Sequence, residues 1–148
     1  MMPALIDTNL LVYLYDQRDP QRQDLARRVL SEVETLGIGR LSVQALAEFF
    51  SVVTRKLSPP LTAREALEQV TLLAQVWPVL DLTALIVLEA GRGTRDYGLA
   101  YYDAQMWATA RLNQVPLILS ENSQDGQVLE GIRFVNPFAP DFNLGAWL

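Results

Sequence analysis

Three carboxylates stand where the surrounding residues give little reason for a charge. Asp7 interrupts the apolar run PALIDTNLLVYLYD, Glu48 lies within VQALAEFFSVV, and Asp103 lies within LAYYDAQMWATA. Glu48 is the only acid between Glu34 and Glu65, and Asp103 the only acid between Asp96 and Glu121. A buried, unpartnered carboxylate is costly or takes up a proton, so each needs a partner, a helix to cap, or a cation. Each has an ordinary explanation alone. Asp7 can cap a helix opening at Thr8, Asp103 can cap or favour the dipole of its helix start, and Glu48 can pair with Arg55 two turns on. Brought together at one edge, the three would repel one another unless an oxygen-liking divalent cation sat among them.

What the chain lacks points the same way. It has no histidine and no cysteine, which removes Ser-His-Asp hydrolysis, histidine acid-base catalysis, thiol nucleophiles and the usual zinc sites. Carboxylates remain as the main catalytic tools, and they select hard ions such as Mg²⁺ or Mn²⁺. A fourth polar cluster, LSENSQDG, places Glu121, Asn122 and Asp125 just after a β-rich run, where an ordinary polar turn is the competing reading. The net charge is -5, yet eleven of the twelve basic residues are arginines, which suit bidentate phosphate contacts. Arg18, Arg22, Arg55, Lys56, Arg92 and Arg95 are candidates for such contacts or simply solvated charges.

These side chains must be positioned by elements that hydropathy outlines. Residues 4–6 read as a buried strand, 8–15 as a helix, and 21–36 as a helix with Leu25, Val29, Val33 and Leu36 on one stripe. Arg40 and Leu41 form a second strand; Ser42 caps a helix to about Leu57, stopped by Ser58-Pro59-Pro60. Thr62 caps the next helix, to about Val76, and residues 79–82 form a strand. Thr83 opens a helix that fades from Gly91 to Gly98, residues 101–113 are helical, and 115–119 and 132–135 are the last strands. At 148 residues, this alternation predicts one α/β domain with a mostly parallel sheet of about five short strands between helices. Ligands of such sheets bind beyond the carboxyl ends of the strands, where Asp7 falls. The N-terminus lacks signal-peptide features, and no uncharged apolar stretch nears the roughly 18 residues of a membrane span, so a cytoplasmic protein with no membrane partner is expected.

Four segments in this order, LIDTNLLVY, LSVQALAEFFSVVTRK, GLAYYDAQMWATA and LILSENSQDGQVLEGIRFVNPF, cover essentially the whole chain and resemble PIN-domain ribonucleases, in particular VapC-type toxins of bacterial toxin-antitoxin pairs. The resemblance implies a three-layer α/β/α PIN-like fold over residues 1–148 and an acidic site that binds Mg²⁺ or Mn²⁺ and cleaves RNA to leave 5′-phosphate ends, with single-stranded or looped RNA the expected substrate. By motif, Asp7, Glu48 and Asp103 match the family acids, Asn9 the polar residue that orients the first, and Ser120 the hydroxyl before the fourth acid. Asn122 stands where many relatives carry aspartate; its carbonyl can ligate without charge, and Glu121 or Asp125 can compensate. The resemblance also implies a small antitoxin whose tail covers the acidic groove, and a homodimer. Helices 21–36 and 42–57 are the expected antitoxin groove, and Phe138, Phe142 and Trp147 are core or interface. Two rivals stand beside it. A haloacid-dehalogenase-like phosphatase needs Asp-x-Asp, and Asn9 breaks that motif; a catalytically silent PIN-like module would act through RNA or protein binding.

Overall fold

The computed structural model describes residues 2–121 and 125–147. Its first strand, β1 (Ala4–Ile6), is fully buried and leads through Asp7 into α1 (Thr8–Tyr13). Then come α2 (Pro20–Leu36), β2 (Gly39–Ser42), α3 (Val43–Arg55), α4 (Ala63–Val76), β3 (Val79–Leu80), α5 (Ala84–Tyr97), α6 (Tyr101–Leu112), β4 (Leu117–Leu119), β5 (Val128–Leu129) and β6 (Ile132–Val135), followed by a 3-10 turn at Leu144–Trp147. Helix ends carry the residues the pattern predicts. Ser42, Thr62 and Thr83 cap α3, α4 and α5 through their hydroxyls, Glu65 completes a capping box with Thr62, and Gly37 closes α2 in the left-handed conformation.

Among the described residues the strands form one sheet in the order β3-β2-β1-β4-β6-β5. All pairings are parallel except β5 with β6. Alternate residues feed two cores. Ala4, Ile6, Leu117, Leu119 and Val135 face α1 to α4, while Leu5, Ile118, Ile132 and Phe134 face α5 and α6. The expected three layers are therefore present. Trp77 lies against Gly39, where an added Cβ would fall 1.9 Å from the indole ring, so β2 approaches α4 closely only because position 39 has no side chain.

The sheet has six strands rather than about five. The addition, β5, is two residues long with Val128 exposed, too short and too wet to register as a strand in hydropathy. It is joined to β6 by the two-residue turn Glu130-Gly131, both at positive φ (49° and 83°), a conformation usually signalled by Asn-Gly or Asp-Gly. Glu130 is held in it by Arg92, Arg111 and the Tyr97 hydroxyl. Two predicted strands are shorter than expected: the third stops at Leu80, and the fourth starts at Leu117 because Pro116 precedes it. Phe138 and Phe142 pack against the first core; the side chain of Trp147 and the whole of Asn122 lie outside the described residues.

Candidate acidic site at the carboxyl edge of the sheet

Strand register sets the first contact of the site. β1 and β4 are neighbours with Ile6 opposite Leu119, so the next residues, Asp7 and Ser120, emerge side by side at the carboxyl edge. The Ser120 hydroxyl donates to Asp7 Oδ2 at 2.7 Å, and the Thr8 amide donates to Asp7 Oδ1 at 2.7 Å, so Asp7 caps α1 with one oxygen. Burial pushes the Asp7 carboxyl up to about 6 despite the opposing pull of these two donors, and the charges of Glu48 and Asp103 push it the same way.

Glu48 arrives from the other side of β1, on the helix that follows β2. The Thr8 hydroxyl donates to its Oε2 at 3.2 Å and Gln44 Nε2 to its Oε1 at 2.9 Å. Arg55 does not pair with it: that guanidinium turns back one helical turn onto the Ser51 carbonyl and hydroxyl, at 3.2 and 2.9 Å. Asp103 sits in the first turn of α6, but the N-cap position belongs to Ala100 and Asp103 caps nothing. Burial first, and Glu48 second, raise its carboxyl above the usual range. The fold thus brings Asp7, Glu48 and Asp103 within electrostatic reach of one another, and among the described residues no arginine or lysine forms an ion pair with any of them.

The remaining candidates separate. Asn9 lines a cleft of about 430 Å³ together with Thr8, Tyr13, Glu48 and Lys56. Glu121 is taken up by Arg22 (2.6 Å) and the Tyr13 hydroxyl (2.5 Å), and Tyr13 is pushed up to about 12 by burial and by that carboxylate. The exposed Asp125 accepts from the Asn136 amide at 2.9 Å. Of the six basic candidates, Arg18, Arg22, Arg92 and Arg95 are paired with acids, while Arg55 and Lys56 line clefts that share Glu48. Thr8, Gln44 and Gln105 were not singled out by sequence, although Gln44 stands four residues before Glu48, the spacing at which helical side chains meet. The donor set, carboxylate and hydroxyl oxygens around an uncompensated buried acid, fits a hard divalent cation in kind. Among the described residues no three acids already form a group close enough to grip one.

Beside the expected groove of the second and third helices, an apolar cleft of about 300 Å³ opens between α2 and α4, lined by Leu30, Leu72, Leu73, Val76 and Trp77. The third helix, α3, packs against α1 and α4.

A three-layer α/β domain with acids gathered beyond its central strands is the class that fold and site define. The PIN domain model matches residues 4–125, most of the chain, and the protein belongs to that family. Solved structures share its architecture. A toxin-antitoxin complex from Klebsiella pneumoniae matches with 19% identity over 91% of this chain and 98% of the other, at a TM-score of 0.65. VapC20 of Mycobacterium tuberculosis, a sarcin-ricin loop cleaving toxin, matches with 17% identity over 84% and 91%, at 0.64. DNA-bound VapBC from Salmonella typhimurium matches with 16% identity over 90% and 97%, also at 0.64. At such identities the likeness concerns the fold. No curated protein matches the sequence.

Proposed function

We propose that this protein is a Mg²⁺- or Mn²⁺-dependent endoribonuclease of the toxin kind, held in check by a small antitoxin. The observation that carries the reading is a placement: Asp7 at the carboxyl edge of β1, with Glu48 and Asp103 within electrostatic reach and no ion pair from the described residues to any of the three, so that burial and these like charges both push the Asp7 carboxyl up. Capping α1 accounts for one Asp7 oxygen, but not for the convergence of three acids without a paired cation, which is the kind of arrangement a cation site uses. Asp7, Glu48 and Asp103 would hold the ion, which when bound supplies positive charge to a water and to phosphate oxygens.

The chain's own groups do the rest. Ser120 and the Thr8 amide aim the two Asp7 oxygens; the Thr8 hydroxyl and Gln44 aim those of Glu48. Lys56 and Arg55, on either side of Glu48, meet backbone phosphates. Water attacks phosphorus in line with the departing 3′-oxygen, the P–O3′ bond breaks, and 5′-phosphate and 3′-hydroxyl ends remain. The family, the toxin-antitoxin assemblies among the structural neighbours and the apolar α2–α4 groove support the antitoxin, and the apolar surface left on α5 would serve a homodimer. The reading assigns the activity to the cytoplasm, where the proposed RNA substrate would be met; no helix among the described residues is long and apolar enough to cross a membrane.

A silent PIN-like binding module is the second reading, and the open spacing of the acids favours it. Incubation of end-labelled single-stranded RNA with the protein in Mg²⁺, Mn²⁺ or EDTA separates the two. Cleavage by the parent that EDTA stops, and that folded Asp7→Asn and Asp103→Asn variants lose by at least a hundredfold, supports the nuclease. Equal cleavage by parent and variants sinks the proposed site.

A further inference from the structure

Beyond the acids, Glu48 also forms one wall of a second and larger cleft, about 720 Å³, with Gln44, Ser51, Arg55, Tyr102 and Gln105. Tyr102 stands out in it. Its side chain belongs to a residue 64% exposed, although it immediately precedes Asp103 at the start of α6. The ring is steadied edge-on by Tyr101, with centroids 5.2 Å apart and planes at 78°, which leaves a face to solvent. An exposed aromatic ring in a cleft shared with a candidate acid, Glu48, and the Arg55 guanidinium is well suited to a flat, apolar-faced group on a charged backbone.

The rest of the wall is tied down by a directed chain of hydrogen bonds. The Tyr101 hydroxyl donates to Gln105 Oε1 at 2.9 Å, Gln105 Nε2 to Gln44 Oε1 at 2.9 Å, and Gln44 Nε2 to Glu48 Oε1 at 2.9 Å and to the Tyr102 carbonyl at 3.1 Å. Both Gln44 donors are spent, and Gln105 is 4% exposed. The amides hold Glu48 and the Tyr102 backbone in place instead of reading base edges.

We infer that this cleft, between α3 and the start of α6, is a subsite for one unpaired nucleobase of the RNA, stacked on Tyr102 with its phosphate toward Arg55, and that it accepts the base by its face with little regard to identity. The inference deepens the ribonuclease reading and rests on it for the identity of the ligand. Stacking on an aromatic side chain is sequence-tolerant and commonly supplies on the order of a tenfold gain in affinity per base. Because Glu48 borders both clefts, a strand seated here passes the acids on its way toward Lys56.

The test uses single-stranded RNA 12-mers with 2-aminopurine at successive positions, in EDTA so that nothing is cut, titrated with the full-length parent, Tyr102→Ala and Tyr102→Phe. Parent and Tyr102→Phe are expected to bind alike and to quench one position selectively. Tyr102→Ala is expected to lose that quench and bind about tenfold more weakly, whatever base occupies the position. Failure of the parent to bind unpaired RNA, or binding and quenching by Tyr102→Ala within twofold of the parent, overturns the subsite. Assays with Mg²⁺ or Mn²⁺ on the same oligonucleotides read the nuclease separately: Tyr102-dependent stacking without cleavage upholds the subsite and rejects the nuclease, and cleavage with Tyr102-independent binding does the reverse.

Discussion

Asp7 shows how much stability one buried carboxyl can cost a fold. Its folded pKa, about 6, lies above the ordinary value of 3.8, so the native state binds the proton more tightly than the unfolded chain. In the absence of divalent ions the carboxyl therefore adds nothing unfavourable at pH 3, and its penalty grows as pH rises from about 4 to about 6. It is complete above that, at roughly 3 kcal/mol for a shift of this size. Urea unfolding in EDTA is expected to show that loss across the window. Asp7→Asn removes the charge while its amide still offers an acceptor and a donor to Thr8 and Ser120, so at pH 7.5 in EDTA the variant is expected to be about 1–2 kcal/mol more stable than the parent, and inactive. Mg²⁺ should raise the midpoint of the parent more than that of the variant. Greater stability of the parent in EDTA at pH 7.5 would contradict the burial argument.

Elements place these residues through register and close approach. The parallel pairing of β1 with β4 sets Asp7 beside Ser120, and β2 on the other flank launches the helix that carries Glu48. Position 39 controls how near β2 comes to α4. A Cβ there would overlap the Trp77 ring, so Gly39→Ala is expected to destabilise the protein by about 1–3 kcal/mol, read as a lower denaturant midpoint. The Glu130-Gly131 turn trades local preference for charge contacts with Arg92 and Arg111, which together with Tyr97 hold Glu130 down to about 2. Glu130→Asn supplies the preferred turn residue and removes those contacts. The parent should thus be the more stable at low salt, and the difference should shrink or reverse in 1 M NaCl as exposed ion pairs are screened. An unchanged difference at high salt would show that the ion pairs contribute nothing to the turn.

At the scale of the whole molecule, the acids and the apolar surfaces occupy different places. The acids gather beyond the central strands, whereas Leu67, Leu72 and Val76 on α4 and Leu85, Val87 and Leu88 on α5 leave apolar surface outward. Leu72, 52% exposed on the α2–α4 groove, can be changed without hollowing the core. Leu72→Arg is therefore expected to leave thermal stability within about 0.5 kcal/mol, as surface changes usually do, while weakening capture of the proposed antitoxin by tenfold or more in a pull-down or titration. Relief of toxicity on co-expression should weaken in parallel. Undiminished capture would rule out the α2–α4 groove as the proposed antitoxin's seat.

Local chemistry made much of this legible from the sequence. Hydrophobic period, hydroxyl caps and glycine or proline stops act over a few residues, so β1, β6 and the bodies of the main helices fall where they were expected. The three lone acids were visible because a charge among apolar neighbours is anomalous wherever the chain folds. Contacts between side chains distant in sequence were decided only by the tertiary structure. It turned Glu48 to Thr8, tied Glu121 to Arg22 and Tyr13, opened the apolar groove at α4, and set Tyr102 facing solvent beside the acids. Each of those outcomes depends on which strands are neighbours and which helix faces meet, and neither is encoded within the short window over which periodicity and caps operate.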